Sequence, residues 1–216
     1  MSTAAASRRL PGSGFGAIAA RLPPTADGQA IGLLGGSFNP AHAAHLEISE
    51  TAIRRLGLSR VWWVVTPGNP LKIKDAPPPL SERMAEARRL VGSRPITVTG
   101  FEAGLRDRFT ISTLAFLRRR RPGTRFVWIM GADCLADFHR WRQWRQIMEL
   151  MPIAVIDRPG WRLKALSSIA AKAYAGARLP ERDAGRLAAM RAPAWVFLTA
   201  PLSDLSSTAI RARRKA

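Results

Sequence analysis

The chain has 216 residues, 47% hydrophobic and 23% charged, the composition of a folded protein. Arg, Pro or Gly interrupts every apolar run before the ~20 residues that a membrane-spanning helix needs, so no stretch reads as one. A net charge of +19 favours a polyanionic partner, whether nucleic acid, acidic membrane or a small phosphate-rich ligand, while the lone Cys134 excludes an intrachain disulfide and a multi-cysteine zinc site and fits a reducing, cytoplasmic setting.

Residues 1–28 are rich in Ala, Ser, Gly and Pro with no acid before Asp27, and read as a disordered N-terminal extension. A transit peptide is the rival, although "GFGAIAARL" makes only a short, weak amphipathic helix. The remainder, 29–216, reads as one domain. Its apolar runs "AIGLLGG", "VWWVVTP", "PITVTG", "RFVWIMG", "PIAVID" and "AWVFLTA" are candidate strands, and they alternate with helical patterns starting near His42, Leu80, Thr110 and Asp133, with weaker ones between Leu163 and Met190. Strands apolar on both faces and interleaved with helices predict an α/β fold, a doubly wound parallel sheet covered on both sides. In "TISTLAFLRRRRPG" the core face falls on Ile111, Leu114, Ala115 and Phe116 or Leu117. The run Arg118 to Arg121 suits the negative end of that helix as well as it suits a nucleic-acid patch.

"GLLGGSFNPAHAAHLEIS", from Gly32 to Ser49, passes from a strand through glycines and Asn39-Pro40 into a helix, and carries two of the three histidines. In parallel sheets ligands bind beyond the carboxyl ends of the strands, where a loop feeds a helix N-terminus. Gly35 and Gly36 leave room for a phosphate, Ser37 and the loop N–H groups can donate to it, and His42 and His45 project from nearly one face of the first turn. Two imidazoles there can stabilise a phosphate whose charge rises during reaction. A zinc site lacking its third ligand, or two purely structural histidines, are the alternatives. Near the far end, "LSSTAIRARR" offers a second phosphate-binding helix start, with Ser207, Thr208 and Arg211, although Ser-Ser-Thr alone is an ordinary cap.

"GGSFNPAHAAH" resembles the (G/T)-G-x-F-D-P-x-H-x-G-H signature of the nucleotidyltransferase superfamily, with Asn39 in place of Asp and Ala44 in place of Gly. "LSSTAIRARR" resembles that superfamily's I-S-S-T-x-I-R motif. "TPGNPLK", "RFTISTL", "FVWIMGADCLADFHRWRQW" and "VIDRPG" resemble segments of the bacterial nicotinate-nucleotide adenylyltransferases, so the likeness runs from about Ile31 to Arg213.

The resemblance implies a Rossmann-like fold and transfer of the adenylyl group of ATP to nicotinate mononucleotide, giving nicotinate adenine dinucleotide and pyrophosphate in NAD biosynthesis. It implies catalysis by His42 and His45, and ATP binding by Gly35, Gly36, Ser37, Phe38, Lys72, Ser207, Thr208 and Arg211 together with the histidines. Acceptor binding falls to Thr110, Asp133, Trp141 and Arg142; Asp133 reaches a ribose or orders its loop, unless it merely caps its helix. Trp144 and Cys134 read as buried packing residues. Magnesium would arrive on the ATP phosphates rather than in a protein site. A different phosphorylated acceptor such as nicotinamide mononucleotide, or a basic nucleic-acid-binding protein on the same frame, are the competing functions; homo-oligomers remain compatible with the sequence.

Overall fold

A computed structural model describes residues 21–67, 77–107 and 109–199. Seven strands form one sheet in the order β3-β2-β1-β4-β5-β7-β6, every pairing parallel. The strands are β1 (Ala30–Gly36), β2 (Arg60–Val65), β3 (Ile96–Thr99), β4 (Arg125–Gly131), β5 (Ile153–Ile156), β6 (Arg178–Leu179) and β7 (Trp195–Leu198). All of these except β6 lie where the apolar pattern predicts them; β6, two residues long, carries no such pattern. From β1 the chain winds to β2 and β3 on one side and then crosses to β4 and β5 on the other, where β7 inserts between β5 and β6, so the topological switch point falls between β1 and β4.

Period-two alternation sends each strand's side chains to two separate cores. Leu34, Trp63, Val65 and Ile129 pack on one face, and Ile31, Leu33, Trp62, Val64 and Trp128 on the other. On the first face lie α1 (Ala43–Leu56), α2 (Leu80–Val91) and the 3-10 segment Glu181–Ala189. The second is covered by α3 (Thr110–Arg120), α4 (Ala132–Asp137), α5 (Trp144–Leu150), α6 (Arg162–Leu166) and α7 (Ile169–Ala173). The doubly wound α/β architecture is therefore the one that the alternation predicts. Among the described residues no helix is long and apolar enough to cross a membrane.

Helix α1 forms because Ser49, Ala52 and Leu56 recur at helical spacing toward the sheet, and it stops at Gly57, whose φ of 64° is the left-handed turn that glycine adopts without strain. Arg54 and Arg55 in its last turn, like Arg118, Arg119 and Arg120 in that of α3, complement the helix dipole. The α3 arginines are solvent-exposed.

Two boundaries differ from the sequence reading. Within the segment 21–28, assigned to the extension, Leu22 packs on the second core, Gly28 N–H donates to Gly123 O at 2.7 Å, and Thr124 Oγ1 donates to Thr25 Oγ1 at 3.0 Å. The turn between α3 and β4 gives this polar stretch backbone and hydroxyl partners, which composition does not register. In α3 the buried set is Ile111, Thr113, Leu114 and Leu117. Thr113 enters the core because its hydroxyl donates to the buried Glu102 carboxylate at 2.6 Å, while Ala115 is only half-buried.

Candidate active site

Beyond the carboxyl end of β1 the chain makes a tight loop, Ser37 to Ala41, before α1. His42 is the N-cap residue, extended at φ −149° and ψ 170°, and His45 sits three positions into the helix. The imidazoles lie 3.9 Å apart, centroid to centroid, so the loop and the first turn together bring them to one place. His42 N–H donates to His45 Nδ1 at 3.2 Å. A neutral His45 ring whose Nδ1 accepts must carry its proton on Nε2, which leaves Nε2–H as the donor to a ligand.

Both rings are held neutral. Burial, with the neighbouring His42 and then the Arg158 charge adding to it, lowers the His45 pKa to about 3, and burial plus Arg158 lowers that of His42 to about 4. They are therefore dipolar donors at neutral pH rather than cations.

The floor of this corner is aromatic. Phe38 stacks on Trp63 at 4.8 Å and meets His45 at 4.7 Å. Trp63 Nε1–H donates to Ser49 Oγ at 2.8 Å, and Ser49 donates in turn to the His45 carbonyl at 2.8 Å. Phe38 is 1% exposed, so its side chain belongs to the core, leaving only its backbone to a ligand. Its φ of +46° is left-handed, a conformation costing roughly 1–3 kcal/mol for a residue with a Cβ, which the packed ring offsets.

The two glycines divide in role. A Cβ at Gly35 would lie 2.5 Å from the Trp128 ring, so packing alone already requires a glycine here. At Gly36 a Cβ would meet only the Phe38 ring, at an ordinary 3.4 Å, and this half-buried position is the one left for a close ligand. Ser37 is exposed, and Ala44 is buried in the α1 face without displacing the histidines.

Asp133, second residue of α4, does not cap its helix: its Oδ2 accepts from Arg158 Nη1 at 2.6 Å. Gly131 permits this, since a Cβ there would lie 2.4 Å from Asp133 Oδ1 and 3.1 Å from Arg158 Cδ. Arg158 follows β5 directly and its charge reaches both histidines, which ties Asp133 to their corner. The "VIDRPG" segment drew notice in the sequence without a task for Arg158; its position just past a strand's carboxyl end was the available signal. His42 Nδ1 and Asp133 Oδ1 are both buried without a hydrogen-bond partner among the described residues.

A second group gathers at the start of α3. The Arg142 guanidinium lies over the Phe109 ring at 4.5 Å, beside Thr110, the first residue of the helix. Trp141, half-buried, stands edge-on to Phe138 at 5.2 Å, whereas Trp144 is core. Asp107 takes the Phe109 N–H at 3.1 Å, which leaves the N–H groups of Thr110 and Ile111 without a backbone partner among the described residues. The Ser112 hydroxyl and that N–H hold the Asp107 carboxyl below its ordinary value.

Burial pushes the Cys134 thiol up to about 12, which removes it as a nucleophile at neutral pH. Among the described residues no group of three or more His, Cys, Asp or Glu is placed to hold a metal ion, so the paired histidines gain no third ligand there. Lys72, Ser207, Thr208 and Arg211 lie outside the described residues.

Residues 33–213 match the family model described as cytidylyltransferase-like. A protein of Methylorubrum extorquens named "Probable nicotinate-nucleotide adenylyltransferase" is 60% identical over 183 residues, 85% of this chain and 99% of that protein. Proteins of the same name from Cereibacter sphaeroides and Mesorhizobium japonicum are 57% and 53% identical, over 84% and 90% of this chain and 96% and 100% of their own lengths. The Plasmodium falciparum nicotinic acid mononucleotide adenylyltransferase complexed with NaAD superposes with a TM-score of 0.63 at 15% identity, covering 85% of this chain and 83% of that one, a likeness of fold.

Proposed function

The chain belongs to the cytidylyltransferase-like family, among its nicotinate-nucleotide adenylyltransferases, and from that premise we propose how its residues carry the transfer of an adenylyl group from MgATP to nicotinate mononucleotide. The products are nicotinate adenine dinucleotide and pyrophosphate, a step of NAD biosynthesis that we place in the cytoplasm. An oxygen of the acceptor's 5′-phosphate attacks the α-phosphorus in line while the bond to pyrophosphate breaks. No protein nucleophile is needed, only alignment of two anions and stabilisation of the charge that builds on the transferring phosphoryl group. Magnesium enters as part of the MgATP substrate.

The observation that carries this reading is the His45 ring, neutral and fixed by His42 N–H so that Nε2–H alone can donate, at a helix N-terminus beside a second imidazole. Such a donor costs no proton and no reorganisation when the phosphate charge rises. His42 and the Gly36–Phe38 backbone bind the same phosphates. Asp133, held by Arg158, takes a ribose hydroxyl with its unpartnered oxygen. Lys72, Ser207, Thr208 and Arg211 hold the outer phosphates, as the motifs they occupy imply.

On the acceptor side, Arg142, with the N–H groups of Thr110 and Ile111, receives the pyridine carboxylate, and Trp141 stacks on the ring. A carboxylate suits these donors where a carboxamide does not, so the acid form is preferred. Purified protein with MgATP and nicotinate mononucleotide should release pyrophosphate, with nicotinamide mononucleotide turned over at least about 10-fold less efficiently. No release across a range of pH and salt would refute the reading. Tight, steeply salt-dependent RNA or DNA binding without turnover would favour the nucleic-acid alternative.

A further inference from the structure

We infer that Arg83 is a positioning residue of this site, locking the Ser37–Phe38 peptide in the orientation that presents the Phe38 N–H to a phosphate oxygen; the inference rests on the transfer reaction proposed above. Arg83 stands in the buried face of α2 beside Met84 and Ala87, and is 1% exposed, an unusual place for a guanidinium. A methionine would fill similar volume without the cost of removing a cation from water. What the guanidinium adds is a pair of backbone contacts. Its Nε donates to Pro78 O at 2.9 Å and its Nη1 to Ser37 O at 2.6 Å, so one side chain ties the approach to α2 to the loop that follows β1. Its Nη2 is buried without a partner among the described residues.

The consequence lies in peptide geometry. Among the described residues the cis peptides are Asn39-Pro40 and Ala192-Pro193, so the Ser37–Phe38 unit is trans. In a trans peptide the C=O and N–H point in opposite directions. Fixing the Ser37 carbonyl on the Arg83 guanidinium therefore turns the Phe38 N–H away from that side chain. That N–H donates to none of the acceptors among the described residues. Phe38 also holds the left-handed φ of +46°, a conformation that a loose loop would leave. Trp63 and His45 anchor the Phe38 ring, and Arg83 anchors the carbonyl of the same peptide. The donor is thus set before substrate arrives.

The first test uses the 15N-labelled wild-type chain titrated with MgATP alone, which needs neither acceptor nor turnover. The Phe38 amide resonance should move to lower field and saturate with those of His42 and His45; a Phe38 amide that stays fixed while theirs move overturns the inference. The second compares R83M and R83K with wild type in pyrophosphate release and thermal melting. In R83M, kcat should fall about 100-fold, the usual effect of a misplaced catalytic group, with KM for MgATP changing less. R83K, which keeps one donor for Ser37 O, should recover part of the loss. A lowered Tm with wild-type kcat in either variant overturns the inference, and should R83M not fold, R83K and the amide titration decide. A wild-type chain whose Phe38 amide responds to MgATP but which releases no pyrophosphate would refute the proposed reaction and leave the role of Arg83 standing.

Discussion

The two halves of the proposed site are built on opposite plans. At the β1–α1 corner the chemistry is buried and uncharged: His42 is 9% exposed, its neighbour His45 is neutral, and His45 stands on an aromatic floor continuous with the core. At the start of α3 the groups are exposed and ionic, with Phe109 44% exposed under the Arg142 guanidinium. A reacting phosphate needs donors that do not move as its charge grows, which burial supplies. An acceptor that must enter and leave needs attraction at a rim, which solvated charge supplies with less precision. The first half should thus govern kcat, and the second KM and choice of acceptor.

The largest effect should come from His45→Ala. Pyrophosphate release should fall by about 100-fold or more in kcat with a smaller change in KM for MgATP, as loss of a transition-state donor does. A raised KM with intact kcat would reverse the division between the halves. Next comes Arg142→Ala, which should raise KM for nicotinate mononucleotide about 10-fold, leave kcat near wild type, and narrow the preference over nicotinamide mononucleotide, since one charge-assisted contact is lost. A fall in kcat alone would move Arg142 out of the rim.

A separate effect is on stability. His42 and His45 titrate in the folded chain at about 4 and 3, below the ordinary 6.5, so the unfolded chain binds more protons as pH falls from 6.5. Their contribution is complete above 6.5 and is lost progressively toward the folded values. The melting temperature should therefore drop between pH 6.5 and about 5, a window above the carboxylate range, and the slope should flatten in His45→Asn. A slope unchanged by the substitution would locate the acid sensitivity outside this corner.

Much of the frame was legible because parallel strands buried on both faces write themselves as apolar runs, and "VWWVV" and "FVWIM" are such runs. The corner itself was legible because a strand, a glycine turn and a helix start leave local signals. The arginines were not. Arg83 looks, in sequence, like any other cation of a chain with 34 Lys and Arg, and Arg158 offers only its place after a strand; the tertiary fold turns one toward Ser37 O and the other toward Asp133. Thr113 was passed over for a related reason: its burial depends on Glu102, a partner eleven residues away that no periodicity announces. The packing need for glycine at position 35 is illegible for the same reason: its close neighbour is a tryptophan of β4, distant in sequence.

The line from Trp63 through Ser49 to His45, and the Phe38 ring wedged against it, makes the reactive corner and the buried core one piece of matter. A protein so constructed has no separate scaffold to sacrifice. Whatever loosens β2, whether heat, denaturant or a cavity beneath the tryptophan, detunes the histidine at the same moment, and turnover becomes a gauge of how tightly the interior is closed.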